Sequence, residues 1–139
     1  MSKTIPAALA VAASMLVLAG TAVAGKPSSS LSLVVLSSSP STALASAASE
    51  PSYEGQVTFH VSTTETDRPF VNVRCYQNGA FVYDAWQGFF GSYLPDPNFT
   101  LASGSWTSGA ADCTARLVTW GRNGRERTLA SLKFTSPRR

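Results

Sequence analysis

Val71-Asn72-Val73-Arg74-Cys75-Tyr76-Gln77-Asn78-Gly79, continued by Ala80-Phe81-Val82-Tyr83-Asp84-Ala85-Trp86, is the stretch that decides the fold. Val71, Val73 and Cys75 alternate with Asn72, Arg74 and Tyr76, so successive side chains fall on opposite faces of an extended strand. Asn78 and Gly79 both tolerate positive φ and predict a type I′ turn, after which Ala80 to Trp86 returns as the second arm of a hairpin. On that arm the alternation expects Phe81, Tyr83 and Ala85 to point inward, and Asp84 and Trp86 outward.

The same period runs through the flanking sequence. Upstream, Val57, Phe59 and Val61 alternate with Thr58, His60 and Ser62. Downstream, Phe99 and Leu101 open a short strand after the breaker Pro95-Asp96-Pro97. Then Ala111, Cys113, Ala115 and Leu117 face one way while Asp112, Thr114, Arg116 and Val118 face the other. Asn123-Gly124 predicts a second tight turn, and Ala130, Leu132 and Phe134 share one face of a last strand that ends before Pro137. Every aromatic residue lies beyond position 52, and no window past the first 24 residues carries a helical period. Short strands at such regular spacing predict an all-β sandwich or barrel over residues 53–135, with 136–139 as a basic tail.

The N-terminus reads differently. Lys3 is followed by an apolar run from Ile5 to Ala19, of about 15 residues where a membrane span needs about 20. The run closes on Gly20 and the small-residue triplet Ala22-Val23-Ala24, the order of a signal peptide cleaved after Ala24. Leu16 to Gly20 opens like a bacterial lipobox, but Thr21 stands where the lipid-bearing cysteine belongs. Residues 25–52 are rich in Ser and Ala and read as a linker, with a candidate edge strand at Leu31-Ser32-Leu33-Val34-Val35-Leu36. What remains of the 139 residues suffices for one core.

The two cysteines, Cys75 and Cys113, agree with export, because an even count in an oxidising compartment usually means pairing. One bridge over that loop stabilises by roughly 3 to 4 kcal/mol in the chain-entropy model. Neither cysteine belongs to a C-x-x-C pair and His60 is the only histidine, so a zinc site of ordinary composition has too few ligands. The net charge of +3 is unevenly spread. Acids lead from Glu50 to Asp112, whereas Arg116, Arg122, Arg125, Arg127, Lys133, Arg138 and Arg139 stand against Glu126 alone. Such a basic end suits an acidic cell-wall polymer, or serves as a solvated hairpin.

With these strands in place, the chain resembles a bacterial immunoglobulin-like domain of the small exported actinobacterial type. The resemblance is carried by Gln56 to Val61, Val71 to Gly79, and Gly109-Ala110-Ala111-Asp112-Cys113-Thr114-Ala115, which is similar to the F strand of such domains. Trp86 follows Cys75 at a spacing that resembles the Cys-then-Trp pattern of antibody-type domains. The resemblance implies an immunoglobulin-like antiparallel β-sandwich with one disulfide. Two features depart from it. Ala111 stands where the tyrosine corner would have its ring. With Leu31 to Leu36 as strand A, Cys75 falls on strand C, so its bridge would join neighbours within one sheet. Resemblance at the level of fold transfers no activity.

Catalytic parts are sparse. His60 lies mid-strand on the polar face with no nucleophile turn beside it, the pattern of a surface histidine. Asp84, Asp96 and Asp112 could serve a glycosidase only if the fold brought a pair together. Glu65-Thr66-Asp67 and Asp96-Pro97-Asn98 offer too few oxygens per loop for calcium. Asn98-Phe99-Thr100 fits a glycosylation sequon that matters only on a eukaryotic secretory route. Neither a cofactor nor a metal is expected.

The segment Tyr83-Asp84-Ala85-Trp86-Gln87-Gly88-Phe89-Phe90-Gly91-Ser92-Tyr93 holds more rings than the inward positions of a sandwich take. Trp86, Phe89, Phe90 and Tyr93, with Trp120, are therefore the candidate ligand-binding residues, unless the connection folds over a sheet edge and buries them. The leading expectation is a secreted, non-enzymatic interaction module. A carbohydrate- or cell-wall-binding module using this aromatic platform is the alternative, and a secreted enzyme inhibitor a third. The partner is then an extracellular protein or glycan, with no nucleic acid and no stable membrane insertion after cleavage.

Overall fold

The alternating runs fold into antiparallel strands arranged in two sheets. The structure, a computed structural model, describes residues 27–36, 50–107 and 109–137. The signal peptide expected at 1–24, the middle of the Ser/Ala-rich stretch and the terminal Arg138 and Arg139 lie outside the described residues. The strands are β1 (Ser29–Leu36), β2 (Gln56–Thr63), β3 (Phe70–Gln77), β4 (Ala80–Gly88), β5 (Phe99–Thr100), β6 (Ala111–Trp120) and β7 (Glu126–Ser136). A smaller sheet has the order β1-β2-β5 and a larger one the order β4-β3-β6-β7. Among the described residues no helix is long and apolar enough to cross a membrane.

The core lies between the sheets and is filled by the residues that the period of two places inward. Val57, Val71, Val73, Cys75, Ala115 and Leu117 are fully buried. Phe59 of β2 reaches across to the larger sheet, with its ring centroid 6.4 Å from that of Phe134 on β7 and 5.6 Å from that of Phe99 on β5. Burial of each Val, Leu or Phe among them contributes about 1.5 to 3 kcal/mol. Leu31, Leu33 and Val35 of β1 pack on the same core, half-buried because β1 is an edge strand. A second aromatic group, Tyr53, Trp106 and Tyr83, closes the core near the 101–109 connection. There the Trp106 Nε1–H donates to the Gly109 carbonyl at 2.9 Å, which satisfies the one polar atom of a nearly fully buried indole.

Cys75 and Cys113 are disulfide-bonded, and the bridge joins directly opposite residues of the adjacent strands β3 and β6, with Cα atoms 4.0 Å apart. It therefore fastens two neighbours of one sheet. The two sheets are held by packing and, at one margin, by Glu65. That carboxylate accepts from Ser29 Oγ at 3.0 Å and from Arg127 Nη2 at 2.8 Å, tying β1 to the start of β7.

Two turns illustrate how far local chemistry reaches. Asn78 and Gly79 adopt φ of 51° and 81°, the two positive values that a type I′ hairpin requires. The Asn123-Gly124 turn is wider than expected. Only Gly124 has positive φ, at 70°, and Trp120 pairs with Glu126, so residues 121–125 form the loop. Asn123 instead keeps a negative φ and uses its Oδ1 to accept from the Arg125 N–H at 3.1 Å.

The expected inward direction of Phe81 also needs correction. Cys75 stands opposite Tyr83 but Tyr76 opposite Phe81, so Val82 is an extra residue, a β-bulge. Val82 and Tyr83 are consequently buried in succession, and Phe81 is turned to the outer face, where it is 54% exposed. A bulge shifts the phase of alternation by one, and nothing in the pattern of apolar residues marks where it falls.

Candidate binding site on the outer face of the larger sheet

The outer face of β4-β3-β6-β7 can be read row by row from the strand register. Trp86, Asn72, Arg116 and Ser131 form one row. Gly88, Phe70 and Val118 form the next, toward the β6–β7 loop, and Trp120 opposite Glu126 stands beyond it. Rings collect at that end. Phe70 is the hub, with centroid separations of 5.0 Å to Trp120, 5.3 Å to Phe90 and 5.6 Å to Tyr93, all edge-to-face. Trp86 and Trp120 lie 5.7 Å apart with planes inclined by 32°. Such pairs add about 0.5 to 1.5 kcal/mol beyond area burial.

Beneath the rings Val118 is completely buried, although it faces away from the main core. The rings therefore make a small apolar cluster of their own. Gly88 explains how the connection after β4 contributes. A Cβ at Gly88 would stand 2.6 Å from Cγ of Tyr93 and 2.7 Å from Cε1 of Phe90, so these two rings lie directly on the glycine backbone. The Tyr93 N–H donates to the Phe90 carbonyl at 3.0 Å, a turn that brings both rings back over the sheet.

A polar row fixes the platform on its other side. Asn72 is fully buried on this outer face. Its Nδ2 donates to Asp84 Oδ1 at 2.5 Å and to the Ala85 carbonyl at 3.1 Å. Its Oδ1 accepts from Arg116 Nη2 at 2.9 Å, and Arg116 Nη1 donates to Glu126 Oε1 at 2.7 Å. Arg74 Nε lies 3.5 Å from Asp84 Oδ1, an ion-pair distance without hydrogen-bond geometry. Charge alternates along this chain of contacts, so each ionised group has an opposite or polar neighbour. Behind Asp84, Tyr83 points into the core, where burial pushes its phenol up to about 12, the Asp84 charge adding to the effect.

The sequence-derived candidates separate under this geometry. Trp86, Phe90, Tyr93 and Trp120 come together, and Trp120 and Tyr93 remain 44% and 42% exposed. Phe89 does not join them. It stacks on Phe99 with centroids 6.4 Å apart and meets Phe59 edge-on, at the floor of a cavity of about 380 Å³ between β2 and residues 96–98. Phe70, the centre of the cluster, escaped the sequence reading because it stands at the very start of β3. The only available signal was its two-residue offset from Asn72 on the outward side.

The other chemical candidates stay apart. His60 is exposed on β2, opposite Ser32 of β1, on the outer side of the other sheet. Asp84 and Asp112 stand on strands separated by β3, which alone places their backbones about 10 Å apart, and Asp112 accepts from Thr135 Oγ1 at 3.3 Å. Asp96 belongs to the exposed segment beside the cavity. Both Glu65 oxygens are taken by Ser29 and Arg127. Asn98 and Thr100 are exposed on either side of buried Phe99. Among the described residues no group of three or more His, Cys, Asp or Glu side chains converges. Comparison of the chain with protein-family models, with curated proteins and with solved structures gives no match.

Proposed function

We propose that the chain is an exported, non-enzymatic binding module of immunoglobulin-like architecture, and that it takes sugar rings on the outer face of its larger sheet. The export reading rests on the signal-peptide order of residues 1–24 and is supported by the Cys75–Cys113 disulfide, a bond that persists in oxidising compartments. The immunoglobulin-like reading is supported by strand order. Lettering β1, β2, β3, β4, β5, β6 and β7 as A, B, C, C′, E, F and G gives A-B-E against C′-C-F-G, the division in which C′ extends the G-F-C sheet. Its disulfide departs from the usual inter-sheet position by joining C to F.

The observation that carries the binding reading is the joining of Trp86, Trp120, Phe90 and Tyr93 around Phe70 on a sheet face, rather than in the core between the sheets. Rigid rings with polar groups beside them suit flat, amphipathic pyranose units, whose C–H faces stack while their hydroxyls bond at the margin. Arg116 and Glu126, on the same face, provide such a margin. Electrophoresis through gels containing xylan, mannan or polygalacturonate tests this. Retardation by at least one polymer is expected, reduced about tenfold or more in affinity by Trp86→Ala or Trp120→Ala. Retardation unchanged in both variants would remove the proposal.

A further inference from the structure

The aromatic platform ends at the β6–β7 loop, and the charge there is one-sided. Trp120 is the last residue of β6 and pairs with Glu126, so residues 121–125 form the loop that directly follows it. Glu126, the acid of this end, is already neutralised by Arg116 at 2.7 Å. Arg122 and Arg125 are exposed, and among the described residues no carboxylate pairs with either. The loop that carries them is internally fixed. The Gly121 N–H donates to the Arg125 carbonyl, and the Gly124 N–H to the Gly121 carbonyl, each at 2.9 Å. The Arg125 N–H is held by Asn123 Oδ1 at 3.1 Å. Arg127 is exposed too but pairs with Glu65, so Arg68, two residues before the hub Phe70 and next in the chain to exposed Asp67, is the third exposed guanidinium here that no ion pair among the described residues takes up.

We propose that the polymer bound by this platform is an anionic polysaccharide, whose carboxylate or phosphate groups are held by Arg122 and Arg125 while its rings stack on Trp120 and Trp86. The inference rests on the platform reading and adds the charge of the ligand to it. Guanidinium is the group suited to this task, because its planar fork of donors matches a carboxylate or phosphate in bidentate fashion. A fixed loop lowers the ordering cost of presenting two such forks beside a stacking surface. The basic bias of the chain beyond Arg116 would also draw an acidic polymer toward this end of the sheet before contact.

Affinities of the full exported chain for polygalacturonate, its methyl ester, a phosphomannan and neutral mannan, each at low and high salt, test the proposal and separate its parts. Binding about tenfold tighter to polygalacturonate or phosphomannan than to the neutral partner is expected, weakening with salt. The arm that binds distinguishes carboxylate from phosphate. The Arg122→Gln/Arg125→Gln variant is expected to lose roughly three- to tenfold on the acidic polymer and nothing on the neutral one. Trp120→Ala is expected to lose affinity for both. The Arg122→Gln/Arg125→Gln variant should melt close to the parent, since both side chains are exposed, whereas Trp120→Ala gives up its ring contacts with Phe70 and Trp86 and should melt lower, still in one cooperative transition.

Equal binding of acid and ester forms, still sensitive to Trp120→Ala, would overturn the anionic ligand and leave the platform standing. Binding of the acid form that ignores Trp120→Ala would overturn the platform itself. Tighter binding to a single-stranded oligonucleotide than to any polysaccharide would make the ligand a nucleic acid and overturn both readings. Concentration-dependent dimerisation with no polymer bound would do the same, by showing the face covered by a second copy.

Discussion

The larger sheet has two faces built from the same four strands, and they are organised on opposite principles. The inner face is a continuous apolar layer of Val71, Val73, Cys75, Ala115 and Leu117, met by Phe59 and Val57 from the smaller sheet. The outer face alternates an aromatic cluster around Phe70 with a hydrogen-bonded row through Asn72, and among the described residues no further sheet or helix packs over it. Inner residues are specified by burial, with the Cys75–Cys113 bridge among them. Outer residues are specified by each other, through ring contacts and paired charges, and keep Trp120 and Tyr93 partly open. The first face determines that the chain folds. The second is where the chain has side chains to spare for a ligand.

Substitutions that act on one face and spare the other test this division. The largest effect is expected inside. Phe59→Ala leaves a cavity among Phe89, Phe99 and Phe134, and should cost about 3 to 5 kcal/mol in denaturant unfolding. A loss below 1 kcal/mol would mean that the two sheets do not depend on this contact. Next comes the fixed polar row. Asn72→Leu strands Asp84 and Arg116 without their shared amide, and should cost about 1 to 3 kcal/mol. It should also weaken glycan binding, because Trp86 stands directly opposite.

The smallest effect is a pH dependence read from the inner face. The Tyr83 phenol, pushed up to about 12 by burial and by Asp84, ionises later in the folded than in the unfolded chain. Its contribution is therefore complete below the ordinary tyrosine value of about 10 and is lost as pH rises through the folded value. Ultraviolet titration should show a tyrosine ionising well above the ordinary value, absent from a Tyr83→Phe variant, and stability should decline from about pH 10 upward. A Tyr83→Phe variant should flatten that decline; an unchanged slope would assign it elsewhere.

Much of the inner face was legible in the sequence, because burial on one side of a strand writes itself as alternation. Val57, Phe59, Val71, Val73, Cys113, Ala115 and Leu117 all follow it. Asn78-Gly79 was equally readable, since few other pairs supply two positive φ values. The outer face was legible only in part. The density of rings after Tyr83 pointed to Trp86, Phe90 and Tyr93, yet the hub Phe70 sits among ordinary strand residues and its role comes from neighbours distant in sequence. Phe89 carried the same signal as Phe90 and turned the other way, because the connection after β4 offers one ring to each side of Gly88. Trp106 had no periodic context at all. It is buried by Tyr53 and Tyr83, contacts that exist only once both sheets are assembled.

The three tryptophans report on both faces at once. In a two-dimensional nitrogen–proton spectrum of the labelled chain, the Trp106 indole N–H, buried and bonded to Gly109, should exchange slowly with solvent. It should also stay in place when polygalacturonate is added. The Trp86 and Trp120 indole signals should exchange faster and shift together with the backbone amides of Gly121 and Arg125. Movement of Trp106 instead, or three unmoved indoles at saturating polymer, would contradict the assignment of binding to the outer face.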